Sequence, residues 1–162
     1  WECHCGKYKK IKDKGVKVVS ITLHVGLGTF RPMDTEHVKD HDMHAEVCMM
    51  SKEAADTLNK AKAEGRRIFA IGTTSVRTLE SVWNVYGKFE ECSLETKLFI
   101  YPGYKYHTID GMLTNFHLPK STLIMMICAL AGYENVMNAY KEAVKEQYRF
   151  FSFGDCMLLT NE

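Results

Sequence analysis

Three patterns that would point directly to a class of protein are missing from this sequence of 162 residues. None of its six cysteines forms a Cys-x-x-Cys pair, so the usual spacing of a zinc or thiol redox site is absent. The formal net charge is only +1, which gives no overall electrostatic attraction to nucleic acid. The longest apolar run, Leu123 to Ala131, falls far short of the ~20 residues that a membrane span requires. We therefore expect no membrane segment, and any nucleic-acid partner must be recognised by local patches.

Signals for export and for internal repetition are also missing. No signal peptide is visible, and scattered cysteines of this kind suit the reducing cytoplasm. The sequence has no internal repeat, low-complexity tract or linker, and its length is enough to bury the core of one domain. We expect a single cytoplasmic domain over residues 1–162; the oligomeric state has no signal in the sequence.

Strand-like and helix-like patterns of apolar residues alternate along the chain. This alternation predicts an α/β protein, either a mixed sheet or part of a barrel. Asp110-Gly111 is a strong β-hairpin signal between two strand-like runs. The predicted helices are 7–14, 51–64, 76–86, 121–131 and 136–144, and the predicted strands are 16–25, 43–49, 67–71 (buried), 98–101, 104–109, 112–116 and the end of 150–159.

A glycine-spaced polar loop follows the first predicted strand. Gly26 and Gly28 allow the backbone to turn tightly and to approach a ligand closely. His24, Thr29 and Arg31 add a base, a hydroxyl and a fixed cation. A dinucleotide or phosphate loop is opposed by the missing third glycine of G-x-G-x-x-G and by the lack of a capped helix after it. A ligand loop and a plain structural turn both stay open.

A second candidate lies where a short strand meets a helix, at Thr73, Thr74 and Arg77. Free amide groups and the positive end of the helix dipole face such a junction, and an arginine adds a two-pronged cation. A carboxylate or a hydroxyl-rich ligand would fit there. The alternative is structural: Thr74 or Ser75 caps the helix and Arg77 pairs with Glu80.

The histidines at 37, 41 and 44 allow two interpretations. On a helix, His37, His41 and His44 would form one face suited to a metal ion, as in a metal-dependent hydrolase. On a strand, the alternation from Met43 onward would place His44 beside Glu46, an arrangement suited to proton transfer. We favour the strand and expect no metal site.

Polar side chains are dense just before the predicted buried helix, at Asn115, His117 and Lys120. A lysine near the positive end of a helix is unfavourable for the helix itself, which favours an anionic partner. A turn that only caps the helix through Ser121 is the alternative.

Two segments have the composition of an RNA-binding surface. Tyr104, Lys105 and Tyr106, followed by His107, interleave aromatic rings and cations, which stack unpaired bases and hold phosphates. The second segment is lysine-rich, from Lys7 to Lys17; the solvated face of a helix is its ordinary alternative.

Taken together, six segments resemble one family in order and spacing, over about residues 9–159. They are LHVGLGTFRP at 23–32, MHAE at 43–46, GTTSVRTLE at 72–80, FIYPGY at 99–104, LTNFHLPKST at 113–122 and YRFFSFGD at 148–155. The chain resembles the C-terminal part of the S-adenosylmethionine:tRNA ribosyltransferase-isomerase (QueA) family of queuosine biosynthesis. Family members have a longer N-terminal portion with an inserted small β-barrel domain, and we expect that domain to be absent from residues 1–162.

The resemblance implies a reaction. The ribosyl group of S-adenosylmethionine would be transferred to 7-aminomethyl-7-deazaguanine, at the wobble position of a tRNA with a GUN-type anticodon, and isomerised to give epoxyqueuosine. Adenine and methionine would leave, and no metal would be needed. A truncated, non-catalytic RNA- or nucleoside-binding remnant is the alternative.

The chemistry of this donor, rather than the resemblance, suggests roles for the candidate residues. Proton transfer would fall to His44 with Glu46, or to His117. Asn115, Thr73 and Thr74 would contact the ribose or the methionine. Arg31 or Arg77 would hold a carboxylate or a phosphate.

Overall fold

The computed structural model describes residues 5–26 and 43–160, which contain five α-helices, one short 3₁₀ helix (Phe151–Phe153) and six strands. The helices are α1 (Cys5–Asp13), α2 (Lys52–Ala63), α3 (Thr73–Tyr86), α4 (Thr122–Ala131) and α5 (Tyr133–Lys145). The strands are β1 (Thr22–His24), β2 (Glu46–Met50), β3 (Phe69–Ile71), β4 (Cys92–Thr96), β5 (Gly111–Asn115) and β6 (Cys156–Thr160).

The first sheet is antiparallel, with β2 in the centre between β1 and β4. Glu46, Cys48 and Met50 point from β2 into the core, whereas Val47 and Met49 are exposed. Burial alternates with the predicted period of two, but the face that points into the core is the one that carries Glu46. His44 precedes β2 and is exposed. The expectation that His44 and Glu46 share one strand face is therefore wrong, because one side chain meets water and the other does not.

The second sheet places β5 between β3 and β6, parallel to β3 and antiparallel to β6. The predicted hairpin around Asp110-Gly111 is wrong, because residues 104–109 form no strand and β5 pairs with two distant segments instead. β3 is shorter than predicted, and Phe69 and Ile71 at its ends are exposed. Long-range pairing, not a local turn, builds this sheet.

Helix α3 lies against both sheets and holds them together. It contacts β1 and β4 of the first sheet and β3 and β5 of the second. Its inward side chains Val76 and Val82 are fully buried, as the apolar spacing predicts. Helix α4 contacts β6 of the second sheet and helix α5.

The ends of the helices follow from local chemistry. Ser51 caps α2 by accepting a hydrogen bond from the amide of Ala54, and Ser121 caps α4 through the amide of Ile124, both at 3.3 Å. α2 ends before Gly65, which has a φ of +65°. These boundaries agree with the sequence pattern.

Two strand predictions are corrected by the structure. Only Thr22–His24 of the predicted strand 16–25 pairs with a neighbour. Residues 98–101 form no strand, and the third strand of the first sheet is β4, which the sequence pattern did not single out. The architecture is mixed α/β, as predicted, and the described strands form two open sheets rather than a closed barrel. Among the described residues, no helix is long and apolar enough to cross a membrane.

Candidate functional site

A buried ion pair joins the centre of the first sheet to α3. The guanidinium of Arg77 donates through Nη1 to Oε2 of Glu46, and both side chains are almost fully removed from water. Burial lowers the pKa of Arg77, while the Glu46 carboxylate raises it. A buried charge needs such a partner, because removing an isolated ion from water costs on the order of several kcal/mol of desolvation free energy. The sequence alternative, in which Arg77 pairs with Glu80, is wrong.

Two other nitrogens of this guanidinium are buried without a partner. Within the part of the chain that the structure describes, Nε and Nη2 of Arg77 make no hydrogen bond. Buried polar atoms are nearly always satisfied, so such an exception needs an explanation. Nε and Nη2 lie on one edge of the planar group, the edge that binds a carboxylate with two parallel hydrogen bonds.

A small pocket adjoins Arg77. Its other walls are mainly apolar. They come from Met43 before β2, from the segment after β4 and from the first two turns of α4: Leu98, Phe99, Ile100, Thr122, Leu123 and Met126. One cation beside apolar walls is a composition found in small-molecule sites, but this cleft has room for only about one water molecule.

The start of α3 has no side-chain cap. Gly72 is the N-cap residue, with a φ of +87°, and as a glycine it has no side chain that could accept from the first amides of the helix. The proposed caps are wrong: Ser75 donates through Oγ to the carbonyl of Ile71 instead. Thr73 is half-buried and lies four residues before Arg77, on the same side of the helix. Thr74 is exposed, and its carbonyl accepts from the hydroxyl of Thr78.

His117 is held at the end of β5 by two hydrogen bonds. Its Nε2 lies 2.8 Å from Oγ1 of Thr114, and its backbone amide donates to the hydroxyl of Tyr140 at 2.7 Å. Burial lowers the pKa of His117 to about 4, because the charged imidazolium would lose its hydration. The imidazole is therefore neutral at pH 7.

Asn115 and Lys120 flank His117 in different settings. The Asn115 amide donates to the carbonyl of Asp155 at 3.1 Å, which ties β5 to the start of β6. Lys120 is exposed, and its φ of +59° is uncommon for a residue other than glycine.

The predicted RNA-binding segment is fixed to the fold from the inside. The hydroxyl of Tyr104 donates to Oε2 of Glu80 at 2.8 Å, and that of Tyr106 donates to the carbonyl of Met126 at 2.7 Å. Their two rings meet edge to face, with centroids 5.4 Å apart. Lys105 alone of these three is exposed.

Glu80 is the functional candidate that sequence reasoning missed. Its side chain is fully buried and accepts hydrogen bonds from residues 104–108. One signal was available: Glu80 lies four residues after Val76, on the helix face predicted to be buried. A carboxylate on such a face requires several donors from another segment.

The glycine-spaced loop lies mostly outside the described residues, including Gly28, Thr29 and Arg31. His24 and Gly26 are described, and both are exposed. Gly26 has no positive φ, and a Cβ there would have nothing within 4 Å. Gly26 thus needs no glycine conformation within the described residues, and its close approach to a ligand stays a prediction.

The predicted metal face cannot be followed, because His37 and His41 also lie outside the described residues. Over residues 5–26 and 43–160, no group of three or more His, Cys, Asp or Glu side chains could hold a metal ion. The lysine-rich segment is helical over Cys5–Asp13, with the described side chains Lys10 and Lys12 exposed in or near its last turn.

Known proteins match nearly the whole chain. The family model described as "Queuosine biosynthesis protein" matches residues 6–159. The S-adenosylmethionine:tRNA ribosyltransferase-isomerase of Clostridioides difficile (strain 630) is 58% identical over 150 residues, 93% of this chain and 44% of that protein. The protein of the same name from Staphylococcus haemolyticus (strain JCSC1435) is 56% identical over the same shares.

A solved structure matches as well. The crystal structure of S-adenosylmethionine tRNA ribosyltransferase from Thermotoga maritima is 41% identical, with a TM-score of 0.76. The match covers 95% of this chain and 48% of that one. The chain thus spans a little under half the length of the relatives that it matches.

Proposed function

This chain belongs to the queuosine biosynthesis protein family, and on that basis we propose that it forms part of an S-adenosylmethionine:tRNA ribosyltransferase-isomerase. One observation carries the proposal: the family match over residues 6–159 contains every residue of the candidate site. The relatives named for this activity are 58% and 56% identical to the chain.

The proposed reaction moves the ribosyl group of S-adenosylmethionine onto 7-aminomethyl-7-deazaguanine at the wobble position of a tRNA with a GUN-type anticodon. Rearrangement of the ribose gives epoxyqueuosine, and adenine and methionine are released. No metal cofactor takes part in this scheme. The substrate tRNA places the reaction in the cytoplasm.

Arg77 is our candidate for holding the donor. The free edge of its guanidinium, Nε and Nη2, matches the carboxylate of the methionine moiety. The adjoining walls, which include Met43 and Met126, are apolar like the aliphatic part of that moiety, and in this scheme the cleft opens to admit it. Glu46 fixes the third nitrogen, so it orients Arg77 in this scheme. Thr73, one helical turn earlier, would reach the same ligand.

Our candidates for proton transfer are two histidines, one exposed to water and one largely buried. The exposed His44 is accessible to water and substrate. His117 is neutral at pH 7 because burial lowers its pKa to about 4, so it would accept a proton or a hydrogen bond. Asn115, two residues before it on β5, would contact the ribose.

The decisive experiment offers the purified chain S-adenosylmethionine and a tRNA that carries 7-aminomethyl-7-deazaguanine. We expect release of adenine in a one-to-one ratio with modified tRNA, measured by chromatography in a single turnover. His44→Ala and His117→Ala should each slow this step. Wild-type rates in both variants would remove the two histidines from the mechanism.

The alternative, a non-catalytic binding module, is favoured by one observation: the chain spans 44% of the length of its relatives. In that case the chain binds the tRNA or the nucleoside, but no adenine appears. If the chain binds neither the tRNA nor the nucleoside and releases no adenine, both proposals fail.

Substitution of Arg77 tests the donor site separately. Arg77→Lys keeps the charge but loses the two-pronged edge. We expect the Kd for S-adenosylmethionine to rise about tenfold or more, the equivalent of one charge-assisted hydrogen bond. The matched control is Arg66→Lys, since Arg66 is exposed and pairs only with Glu64 in the described ion pairs. An unchanged Kd in a folded Arg77→Lys variant would contradict the assignment.

A further inference from the structure

The segment of residues 104–108 has neither helix nor strand, yet many hydrogen bonds fix it in place. Four of its donors converge on the carboxylate of Glu80: the Tyr104 hydroxyl at 2.8 Å, the His107 amide at 3.1 Å, and the amide (2.9 Å) and hydroxyl of Thr108. Glu80 itself is fully buried in α3. A buried carboxylate would be unfavourable without these donors, so the two parts require each other.

Other contacts fix the same segment from different sides. Lys62 donates through Nζ to the carbonyl of His107 at 2.5 Å, and its ammonium lies 4.7 Å from the ring centroid of Trp83. The Tyr106 hydroxyl donates to the carbonyl of Met126. Hydroxyls and backbone groups are therefore directed inward.

The side chains left on the outside are cationic or titratable. Lys105 is exposed, and the His107 side chain is 47% exposed, with Nδ1 3.5 Å from Oε2 of Glu80. Alternation of inward and outward side chains over residues 104–107 thus presents Lys105 and His107 to a partner from a fixed backbone.

We propose that Glu80 is a positioning residue for RNA binding: it holds residues 104–108 in the conformation that presents Lys105 and His107 to the tRNA backbone. This inference depends on the proposed function, because the partner is the tRNA of that reaction. Glu80 itself does not touch the RNA. A segment fixed before binding loses less conformational entropy when the partner arrives.

Neutralising Glu80 distinguishes a positioning role from a simple effect of charge, because the two predict opposite changes in the Kd for tRNA. Glu80→Gln removes a negative charge, which by simple electrostatics should tighten binding to a polyanion. The amide of glutamine also brings an N–H group toward donors that need an acceptor. We therefore expect the opposite result, a Kd for tRNA raised about tenfold or more.

Coupling to Lys105 separates positioning from a general loss of stability. Lys105→Ala should weaken tRNA binding in the wild type and have little further effect in the Glu80→Gln background. Additive effects would overturn the proposal, and so would a wild-type Kd for Glu80→Gln. The exposed Glu142→Gln is the control for charge alone.

A milder variant guards against loss of the fold. Tyr104→Phe removes one donor to Glu80. Its control is Tyr86→Phe, because Tyr86 is an exposed tyrosine of α3, the helix that contains Glu80. Amide hydrogen exchange at His107 and Thr108 should accelerate in Tyr104→Phe with a parallel rise in Kd. Faster exchange with an unchanged Kd would overturn the positioning role. If the wild-type chain does not bind tRNA, the proposed function fails first, and this inference with it.

Discussion

The imidazole of His117 has lost most of its hydration and keeps one side-chain hydrogen bond, to Oγ1 of Thr114 at 2.8 Å. At the scale of single residues, burial decides what such a group does. The same holds for Arg77 and Glu80, which stay charged away from water because Arg77 pairs with Glu46 and Glu80 accepts hydrogen bonds from residues 104–108. The partners of Arg77 and Glu80 lie far away in sequence, so neither pairing can be read from the neighbouring residues.

The lowered pKa of His117 predicts a pH-dependent stability. The unfolded chain binds a proton at His117 near pH 6.5, whereas the folded chain does so only near its pKa of about 4. The free energy of unfolding is therefore unaffected by this group above pH 6.5, and it decreases as the pH drops from 6.5 toward 4. The loss amounts to about 3 kcal/mol in the free energy of unfolding.

Urea unfolding between pH 4 and pH 7 measures this loss. His117→Gln should flatten the pH dependence over that range, whatever its effect at pH 7. The exposed His44→Gln variant should keep the wild-type slope. A wild-type slope in His117→Gln would show that another group is responsible.

At the scale of elements, two helices end in the same way with different residues. After α2, the amide of Arg66 donates to the carbonyl of Ala61, and that of Gly65 to Lys62. After α5, the corresponding bonds run from Tyr148 to Ala143 and from Gln147 to Val144. Both are Schellman motifs, which need a left-handed residue after the cap. Gly65 meets this need freely, whereas Gln147 adopts a φ of +59°.

Exchange of these two residues should shift stability in opposite directions. Gln147→Gly should raise the free energy of unfolding by about 1 kcal/mol, because the left-handed conformation costs a residue with a Cβ about that much. Gly65→Gln should lower it by a similar amount. Urea titrations of both variants give the measurement, and a destabilised Gln147→Gly would contradict the argument.

Helices were predictable at this scale, and strands only in part: β2, β3 and β5 overlap the predicted strands 43–49, 67–71 and 112–116. α2 and α4 begin at the predicted serine caps, because capping and helical spacing are local in sequence. β4 was missed and the hairpin at Asp110-Gly111 was wrong, because strand partners come from distant segments. Gly111 lies inside β5, so the Asp-Gly pair marks the start of a strand and not the turn of a hairpin.

At the scale of the whole molecule, three distant parts of the chain meet at Gly111. It pairs with Phe69 of β3 and Thr160 of β6. A Cβ there would lie 2.6 Å from the carbonyl oxygen of Leu159 and 2.7 Å from Cε1 of Phe69. Close approach of the neighbouring strands, rather than a turn, therefore explains this glycine.

Gly111→Ala should lower the free energy of unfolding by about 1–3 kcal/mol, since one strand must shift to admit the methyl group. Gly26→Ala is the control, because a Cβ at Gly26 has nothing within 4 Å. Urea unfolding should show a loss in the first variant only. Equal stability of Gly111→Ala and wild type would contradict the packing argument.

The sequence by itself determined the helices, the serine caps of α2 and α4, the α/β class and the family, because these depend on local spacing and on motifs in order. Only the tertiary structure decided the two sheets, the pairing of Arg77 with Glu46 rather than Glu80, and the place of Glu80 beneath residues 104–108. The reason is physical. A buried charge takes its partner from whichever segment the fold brings within hydrogen-bond distance, and these partners lie 31 and up to 28 residues away.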